Sequence, residues 1–346
     1  MVYFDYNATA PLRAAARDAM LEWLGRPGNP SAAHGIGRDA AMAVDRARTH
    51  VANLVGWPRD GVVFTGGASE SNATVLSRGR WAASAVDHPS VRLWATTLLP
   101  VDANGVVSIE AIREVQGVDG VSVMLANNEA GTVQPIAEVI AVARSRGLRV
   151  HVDAAQAPGR VALDMLQGAD FITLASHKLG GPQGVGAICV PKGDSAPMVR
   201  GAQQERGWRA GTHNVAGIAG FGAATLEILL GDLLSPVLRD RLEAGLVAFG
   251  GVVAGGGAPR LPNTSFVAFP GVPAPELVMM LDLQGVCVSA GSACASGSAR
   301  PSDVLAAMGF QGSAVRFSLG RESTAAEVDL ALGAVRTVLD NARAWV

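Results

Sequence analysis

The chain contains only two lysines, Lys178 and Lys192, and their surroundings differ. Lys178 follows the apolar run 169–174 and precedes Gly-Gly-Pro, so the sequence predicts a loop at the end of a buried strand. Ligands bind at this edge of open α/β sheets. A desolvated lysine loses its proton readily and forms Schiff bases, so we expect Lys178 to be an amine nucleophile. The competing interpretation is a surface charge, which describes Lys192 in its Pro-Lys-Gly-Asp turn.

A carboxylate and a carboxamide follow another predicted strand. Asp153 ends the segment His-Val-Asp-Ala-Ala-Gln, and Gln156 comes three residues later. A carboxylate at a strand end can pair with a protonated ring nitrogen and so make the ring an electron sink. Gln156 lies within reach of the same ring's phenolic oxygen. By itself Asp153 is more typical of a helix N-cap. The strands ending at Asp153 and Lys178 are predicted neighbours, however, so the two side chains could converge on one ligand.

Small residues follow the predicted strand 61–65, in the segment Thr65-Gly-Gly-Ala-Ser-Glu-Ser-Asn72. Glycines let the backbone approach a phosphate, and the start of a helix favours an anion. Ser69 adds a hydroxyl donor. A plain strand-to-helix turn explains the same pattern.

Three further side chains are candidates on their own chemistry. His88, in Val-Asp-His-Pro, can stack on an aromatic ring and move protons near neutral pH, or it is a structural histidine. Arg316 shares a strand face with Ser318 and suits a substrate carboxylate, or it is a surface arginine on an edge strand. Cys294 lies among small residues, so we expect an accessible thiol that is either a nucleophile or incidental.

The composition excludes several classes of function. The formal net charge is −2, which gives no basic face for nucleic acid. No apolar run reaches the ~18 residues of a membrane span, and the N-terminus does not resemble a secretory signal. Cys189 and Cys287 lie in apolar strands and, with Cys294, are too few and too scattered for disulfides or zinc. We therefore expect a cytoplasmic protein with reduced thiols.

The pattern of elements predicts an α/β fold. Helices are expected over 14–24 and 38–55, and strands over 61–65, 91–96, 121–126, 148–152, 171–174 and 186–190. Such alternation gives a mostly parallel sheet with helices on both faces. After about residue 232, a helix (236–248), two strands (265–269 and 286–288) and a last helix (325–345) predict a smaller α+β lobe. We expect a large domain over 14–232 and a small domain formed by 1–13 and 233–346.

Taken together, the segments resemble the cysteine desulfurases of the class V aminotransferase group of pyridoxal-phosphate enzymes. The resemblance spans nearly the whole chain in family order. It rests on residues 5–11, 28–31, 64–72, 127–131, 151–156, 176–178, 209–212, 291–294 and 315–321. The sequence differs from the family pattern at Ala175-Ser176, where the hydroxyl residue usually comes first, and at Asp87 and Gln183, where glutamate and lysine are usual.

The resemblance implies a fold of the aspartate aminotransferase type, fold type I, with a mostly parallel seven-stranded sheet. It implies that Lys178 carries pyridoxal 5'-phosphate covalently and serves as acid and base, and that Cys294 accepts sulfur. It also implies that Asp153 pairs with the ring nitrogen, that Gln156 contacts the phenolic oxygen and that His88 stacks on the ring. The implied phosphate-binding residues are Ala68, Ser69, Ser176 and His177, with Thr212 binding the phosphate of the partner subunit. Asn128 would lie near cofactor and substrate, and Arg316 would bind the substrate carboxylate.

The implied reaction converts L-cysteine to L-alanine and leaves a persulfide on Cys294, which passes to a sulfur-acceptor protein such as an iron–sulfur scaffold or to thio-modification. The role of Thr212 implies a homodimer with shared sites. One alternative is a selenocysteine lyase or a small-amino-acid aminotransferase that never uses Cys294. Another is a degenerate fold that acts only as a binding partner.

Overall fold

The computed structural model describes residues 1–194, 197–291 and 302–343. Its helices are α1 (Ala14–Leu24), α2 (Gly35–Val55), α3 (Ala68–Leu76), α4 (Pro89–Arg92), α5 (Ile109–Glu114), α6 (Ile136–Ser145), α7 (Val215–Leu229), α8 (Val237–Ala248), α9 (Ala274–Leu283), α10 (Asp303–Ala307) and α11 (Ala325–Arg343). Its strands are β1 (Val2–Tyr3), β2 (Val62–Thr65), β3 (Trp81–Ser84), β4 (Thr97–Leu99), β5 (Gly120–Met124), β6 (Arg149–Asp153), β7 (Phe171–Ala175), β8 (Gly186–Cys189), β9 (Val252–Val253), β10 (Thr264–Ala268), β11 (Val286–Cys287) and β12 (Val315–Ser318).

A seven-stranded sheet in the order β2-β8-β7-β6-β5-β3-β4 forms the centre. The strands are parallel except β8, which runs antiparallel to both of its neighbours. Strands β2, β3, β5, β7 and β8 are buried along their whole length, which is why they read as apolar runs rather than as alternating patterns. The expected fold class is confirmed.

Helices cover both faces of this sheet. On one face, α2, α6 and α7 pack their apolar stripes against the strands, with Val44, Val51, Val139, Ile218 and Phe221 in a single core. On the other face, α3 and the segment after β3 contribute a smaller core around Trp81 and Phe171. Among the described residues, no helix is long and apolar enough to cross a membrane.

The N-terminus and the C-terminal third share a separate core. Strand β1 pairs with β11 in parallel, and β12, β10 and β9 form an antiparallel sheet. Val2 and Phe4 pack with residues 242–339 from α8, α9 and α11, so the extended N-terminus joins the C-terminal lobe as expected. The domain boundaries at residues 14 and 232 stay a prediction.

The predicted strand 91–96 is wrong. Residues Pro89–Arg92 form the short helix α4, because proline suits the first helical turn and His88 caps it by accepting the N–H of Ser90. The sheet instead takes β3 and β4 from the flanking residues. Strand β3 was not predicted, since its sequence Trp-Ala-Ala-Ser carries little β-branched signal and owes its place to burial between neighbours.

The topology brings several loops to one edge of the sheet. The carboxyl ends of β3, β5, β6 and β7 meet there because these strands are parallel. Strand β2 also ends there, since it is antiparallel to β8, which is antiparallel to β7. The loops after these five strands carry almost all of the predicted site residues.

Candidate active site

A cavity of about 570 Å³ opens at this edge, between the large sheet and β12. Its size is typical of a small-molecule site. Most of the predicted site residues line it, and they are Ala68, Ser69, His88, Asn128, Asp153, Gln156, His177, Lys178 and Arg316.

Lys178 follows β7 on a single turn of 3-10 helix, Ser176–Lys178. Its Nζ donates to the carbonyl oxygens of Asn7 and Ala8, at 2.5 and 2.8 Å. The amine is therefore held against the N-terminal segment while its side chain lines the cavity. Lys192, by contrast, lies in a turn after β8 and does not line this cavity.

Asp153, the last residue of β6, is buried with its carboxylate held from two sides. Asn72 donates from Nδ2 to Oδ2 at 2.8 Å, and the backbone N–H of Ala155 donates to Oδ1 at 3.0 Å. Donors on both oxygens fix the orientation of the group. Asp153 thus presents an oriented carboxyl group to the cavity that Lys178 also lines.

Gln156 lies between the cavity and the N-terminal segment. Its Nε2 donates to the backbone oxygen of Asn7 at 3.0 Å, the same oxygen that accepts from Lys178. Its Oε1 accepts from Arg160. The carboxamide nitrogen therefore points toward the Asn7 backbone oxygen, which Gln156 shares with Lys178.

His88 lines the cavity and is fixed by Ser90. The Ser90 N–H donates to Nδ1 at 3.1 Å, and the Ser90 Oγ lies 2.8 Å from the same atom. Burial lowers the pKa of His88 below its usual value. With its Nδ1 occupied as an acceptor, the neutral ring carries its hydrogen on Nε2.

The turn between β2 and α3 forms another wall. Gly67 adopts φ 150° and ψ 174°, a conformation that glycine tolerates, and a Cβ built on it would meet no heavy atom within 4 Å. Ala68 and Ser69 begin α3, whose first N–H groups have no acceptor within the helix. The turn can therefore accept an anion close to its backbone.

The two residues before Lys178 differ in where they face. His177 lines the cavity, and burial together with the charges of Lys178 and Arg160 lowers the pKa of His177 to about 4. Ser176 is fully buried, and its Oγ lies beside Gly181, where no described residue hydrogen-bonds to it. Ala175 lines the cavity in its place. A phosphate contact by Ser176 stays a prediction.

Arg316 is almost fully buried on β12, so it is not a surface arginine. Its backbone bonds to Ser289 on one side, and its strand pairs with β10 on the other. Its Nη2 contacts Asp5 Oδ1 at 2.6 Å, and Nη1 donates to the carbonyl oxygen of Asn128 at 2.9 Å. Among the described residues, its Nε has no hydrogen-bond partner.

Besides Ser176, two predicted contributors lie outside the cavity or the described chain. Thr212 is exposed and does not line the cavity of its own chain, whereas Arg209 in the same segment is tied to Glu70 of α3 at 2.5 Å. Cys294 falls outside the described residues. The apolar strands around Cys189 and Cys287 predict that both thiols are buried. Cys189 is fully buried, and burial raises the pKa of its thiol, whereas Cys287 is only partly buried, so that prediction is wrong for Cys287.

Four residues of the site were missed by the sequence interpretation. Asn7, Asn72, Ser90 and Arg160 each hydrogen-bond a predicted cavity residue. Asn7 and Asn72 lie inside segments that had been recognised by resemblance, so the segments pointed to them without giving a role. Arg160 follows Gln156 by four residues, but no regular helix there signalled contact.

The donor set fits pyridoxal 5'-phosphate. One amine, one oriented carboxylate, one carboxamide nitrogen, one neutral imidazole and one helix start with an open glycine line a single cavity. The amine suits the cofactor's aldehyde, the carboxylate suits its ring nitrogen, and the carboxamide nitrogen suits its phenolic oxygen. The imidazole suits the aromatic face of the ring, and the helix start suits the phosphate. The orphaned Nε of Arg316 leaves a donor for a further anion on the same side.

Sheet order, helices on both faces and a cavity at the carboxyl ends of the strands define the α/β fold type I of pyridoxal-phosphate-dependent transferases. A family model described as aminotransferase class-V matches residues 2–331. The chain belongs to this class-V aminotransferase family.

Individual relatives agree over the full length. A cysteine desulfurase of Cereibacter sphaeroides is 41% identical, with 99% of this chain and 97% of the relative aligned. The crystal structure of a NifS-like protein from Rickettsia africae superposes with a TM-score of 0.91 at 28% identity, covering 98% of this chain and 99% of that one. A structure of SspA in complex with cysteine superposes with a TM-score of 0.80 at 28% identity, covering 94% and 100%.

Proposed function

We propose that this protein is a pyridoxal-phosphate-dependent cysteine desulfurase, which converts L-cysteine to L-alanine and transfers the sulfur to Cys294. The observation that carries the proposal is that Lys178, Asp153 and Arg316 face one cavity. An amine, a carboxylate for the ring and a guanidinium for a substrate carboxylate are the groups that amino-acid chemistry on this cofactor requires. The relatives named for cysteine support the choice of substrate.

Each wall of the cavity has a part in holding the cofactor. Lys178 would bind it covalently, Asp153 would pair with its ring nitrogen, and Gln156 would donate to its phenolic oxygen. When bound, pyridoxal phosphate supplies an electron sink conjugated to the substrate's Cα. The start of α3, with Ala68 and Ser69, would hold the phosphate together with His177, and His88 would stack on the ring.

Arg316 would bind the substrate carboxylate, and Asn128 lies beside it through its carbonyl oxygen. The orphaned Nε offers one donor, and Nη2 is already paired with Asp5. Lys178, once its amine is released, would take the proton from the substrate Cα and later return it. The Lys178 side chain lines the cavity, and two backbone carbonyl oxygens hold its Nζ there, so the amine is placed to exchange a proton with a substrate in the cavity.

The sulfur step is redox-neutral. The Cys294 thiolate forms an S–S bond with the substrate sulfur, the substrate's Cβ–S bond breaks, and the electron pair stays on carbon. A proton then completes alanine, and the persulfide remains on Cys294. Passing that sulfur onward needs a thiol-bearing or metal-cluster acceptor protein, such as an iron–sulfur scaffold.

Further proposals accompany this function. The exposed Thr212 would reach the phosphate of a second copy, which makes the enzyme a homodimer with shared sites. The chain would act in the cytoplasm, where its three cysteines stay reduced. The large domain would span 14–232 and the small domain 1–13 and 233–346.

The test is alanine release from L-cysteine by the purified holoenzyme with a thiol reductant. Wild type and Cys287→Ser should make alanine at equal rates. The rate of alanine release by Cys294→Ser should be lower by at least about a hundredfold, because the nucleophilic thiol is gone. Equal alanine from Cys294→Ser would favour a selenocysteine lyase or an aminotransferase. A colourless wild type that takes up no cofactor would favour a binding protein without catalysis.

A further inference from the structure

Arg160 is a buried cation directly behind the catalytic cavity. Its side chain is about 8% exposed, and its guanidinium lies among oxygens of the N-terminal segment and of the lysine turn. Nη1 donates to Oδ1 of Asn7 at 2.8 Å and to Oε1 of Gln156. Nη2 donates to the carbonyl oxygen of Lys178 at 3.1 Å and to that of Tyr6 at 3.5 Å. Within the described part of the chain, no carboxylate pairs with it.

The direction of these hydrogen bonds fixes two carboxamides. A guanidinium only donates, so the groups facing it must be the oxygens of Gln156 and Asn7. The Gln156 nitrogen is then left for the cavity side, where it donates to the Asn7 carbonyl. The Asn7 nitrogen is turned toward the Asn128 carbonyl and the Thr264 hydroxyl. Arg160 and the Asn7 carbonyl therefore hold the Gln156 carboxamide from opposite ends, and loss of Arg160 removes one of the two contacts that fix its orientation.

The charge of Arg160 also acts on a side chain that lines the cavity, His177. Burial and the charge of Arg316 lower the pKa of Arg160 to about 9, so it stays charged at neutral pH. The same charge, with that of Lys178, lowers the pKa of His177. Lys178 lines both the cavity and a small cleft behind it. The titratable and charged groups that share these two linings are Glu70, His88, Asp153, His177 and Arg316 on the cavity side, and Tyr6, Arg13, Arg160, Asp232, Arg321 and Glu322 around the cleft.

We propose that Arg160 is a positioning residue for Lys178 and Gln156: it fixes the Gln156 carboxamide with its nitrogen toward the cofactor, and its charge lowers the proton affinity of the Lys178 nitrogen. The inference rests on the proposed function, because it assumes that the cavity holds pyridoxal phosphate. It assigns a task to a residue that touches neither substrate nor cofactor.

The experiment compares the holoenzyme with Arg160→Gln, Arg160→Lys and a control, Arg78→Gln. Arg78 is a partly buried arginine that pairs with Asp194 and packs on the Trp208 ring, and it does not line the cavity. The readouts are the midpoint of the pH titration of the bound-cofactor absorbance, the dissociation constant for pyridoxal phosphate, and KM and kcat for L-cysteine.

Arg160→Gln should raise the titration midpoint by about one pH unit, because removing a nearby positive charge favours the protonated nitrogen. Arg160→Lys keeps the positive charge, so its titration midpoint should stay near that of wild type. It loses the planar set of guanidinium donors, so its affinity for the cofactor should fall by about tenfold. Arg78→Gln should change neither quantity, although it destabilises the fold.

An unchanged midpoint in folded Arg160→Gln would overturn the electrostatic part of the inference, and unchanged cofactor affinity in Arg160→Lys would overturn the positioning part. If Arg160→Gln does not fold, Arg160→Lys decides, since a variant that matches wild type in every readout contradicts the inference. A wild type that binds no pyridoxal phosphate would instead refute the proposed function itself.

Discussion

Asn72 donates a hydrogen bond from its side-chain nitrogen to Oδ2 of Asp153 over 2.8 Å, so a residue of α3 orients a residue at the end of β6. The same nitrogen donates to Oγ of Ser90, which in turn contacts His88. The Asp153 carboxylate and the His88 imidazole are thus connected through Ser90 and one buried asparagine.

Asn72→Ala should weaken pyridoxal-phosphate binding by about tenfold, because the Asp153 carboxylate loses a donor that holds its orientation. The free energy of unfolding should fall by about 1–3 kcal/mol, since a buried charged acceptor is left under-satisfied. Titration of the apoenzyme with cofactor measures the first effect. Thr74→Ala is the control, because it removes a hydroxyl bonded only within the same helix. Cofactor affinities that are equal in the two variants would contradict the role of Asn72.

Gly67→Ala tests the turn that would hold the phosphate. At φ 150° any residue other than glycine is strained. A Cβ built on Gly67 meets no other atom within 4 Å, and Gly67 lines the cavity, so the added methyl group would take up space there. We expect about 1 kcal/mol of destabilisation and a large loss of cofactor affinity. Gly147→Ala is the control: at φ 69°, with open space around its added Cβ, it carries the milder strain of the left-handed region away from the cavity. If both variants bind the cofactor like wild type, the turn does not hold the phosphate.

Arg316→Lys should raise KM for L-cysteine by about ten- to a hundredfold and change the bound-cofactor spectrum little. Lysine keeps the charge but cannot offer the guanidinium's several donors to a carboxylate while it contacts Asp5. Steady-state kinetics with Arg321→Lys as the control measures the effect, because Arg321 lies on the exposed turn after β12 and pairs with Asp232. A KM that stays at the wild-type value would remove Arg316 from substrate binding.

His151 gives a prediction for acid stability. It is fully buried between Ser122 and Thr173, and burial lowers the pKa of His151 from 6.5 to about 4. The unfolded chain therefore takes up a proton before the folded one, and stability present above pH 6.5 is lost as the pH falls toward about 4. The full effect is on the order of 3 kcal/mol. Denaturant unfolding between these pH values should show a shallower decline for His151→Gln, and parallel curves would contradict the assignment.

The sequence predicts the architecture well where a local pattern and the tertiary environment agree. Helix α1 lies where predicted, and the buried runs of β5, β7 and β8 lie within about two residues of their predictions. Strands β6 and β7 are parallel neighbours, so the prediction that the strands ending at Asp153 and Lys178 lie side by side is confirmed.

Local pattern fails where burial or a cap decides. Val91 is apolar and fully buried, which favoured a strand, yet Pro89 and the His88 cap start a helix there. Contacts between distant parts of the chain are also beyond local patterns. Asn7 meets Lys178 across 171 positions and Asn72 meets Asp153 across 81, so neither role follows from spacing. Resemblance identified their segments, and the fold gives the contacts.

Sulfur transfer to Cys294 is tested most directly by mass spectrometry of the peptides from holoenzyme treated with L-cysteine and then alkylated. We predict one added sulfur atom on the peptide that contains Cys294, and none on the peptides that contain Cys189 or Cys287. Its appearance should parallel alanine release and disappear in Lys178→Ala. Alanine formed with no added sulfur on the Cys294 peptide would contradict the account.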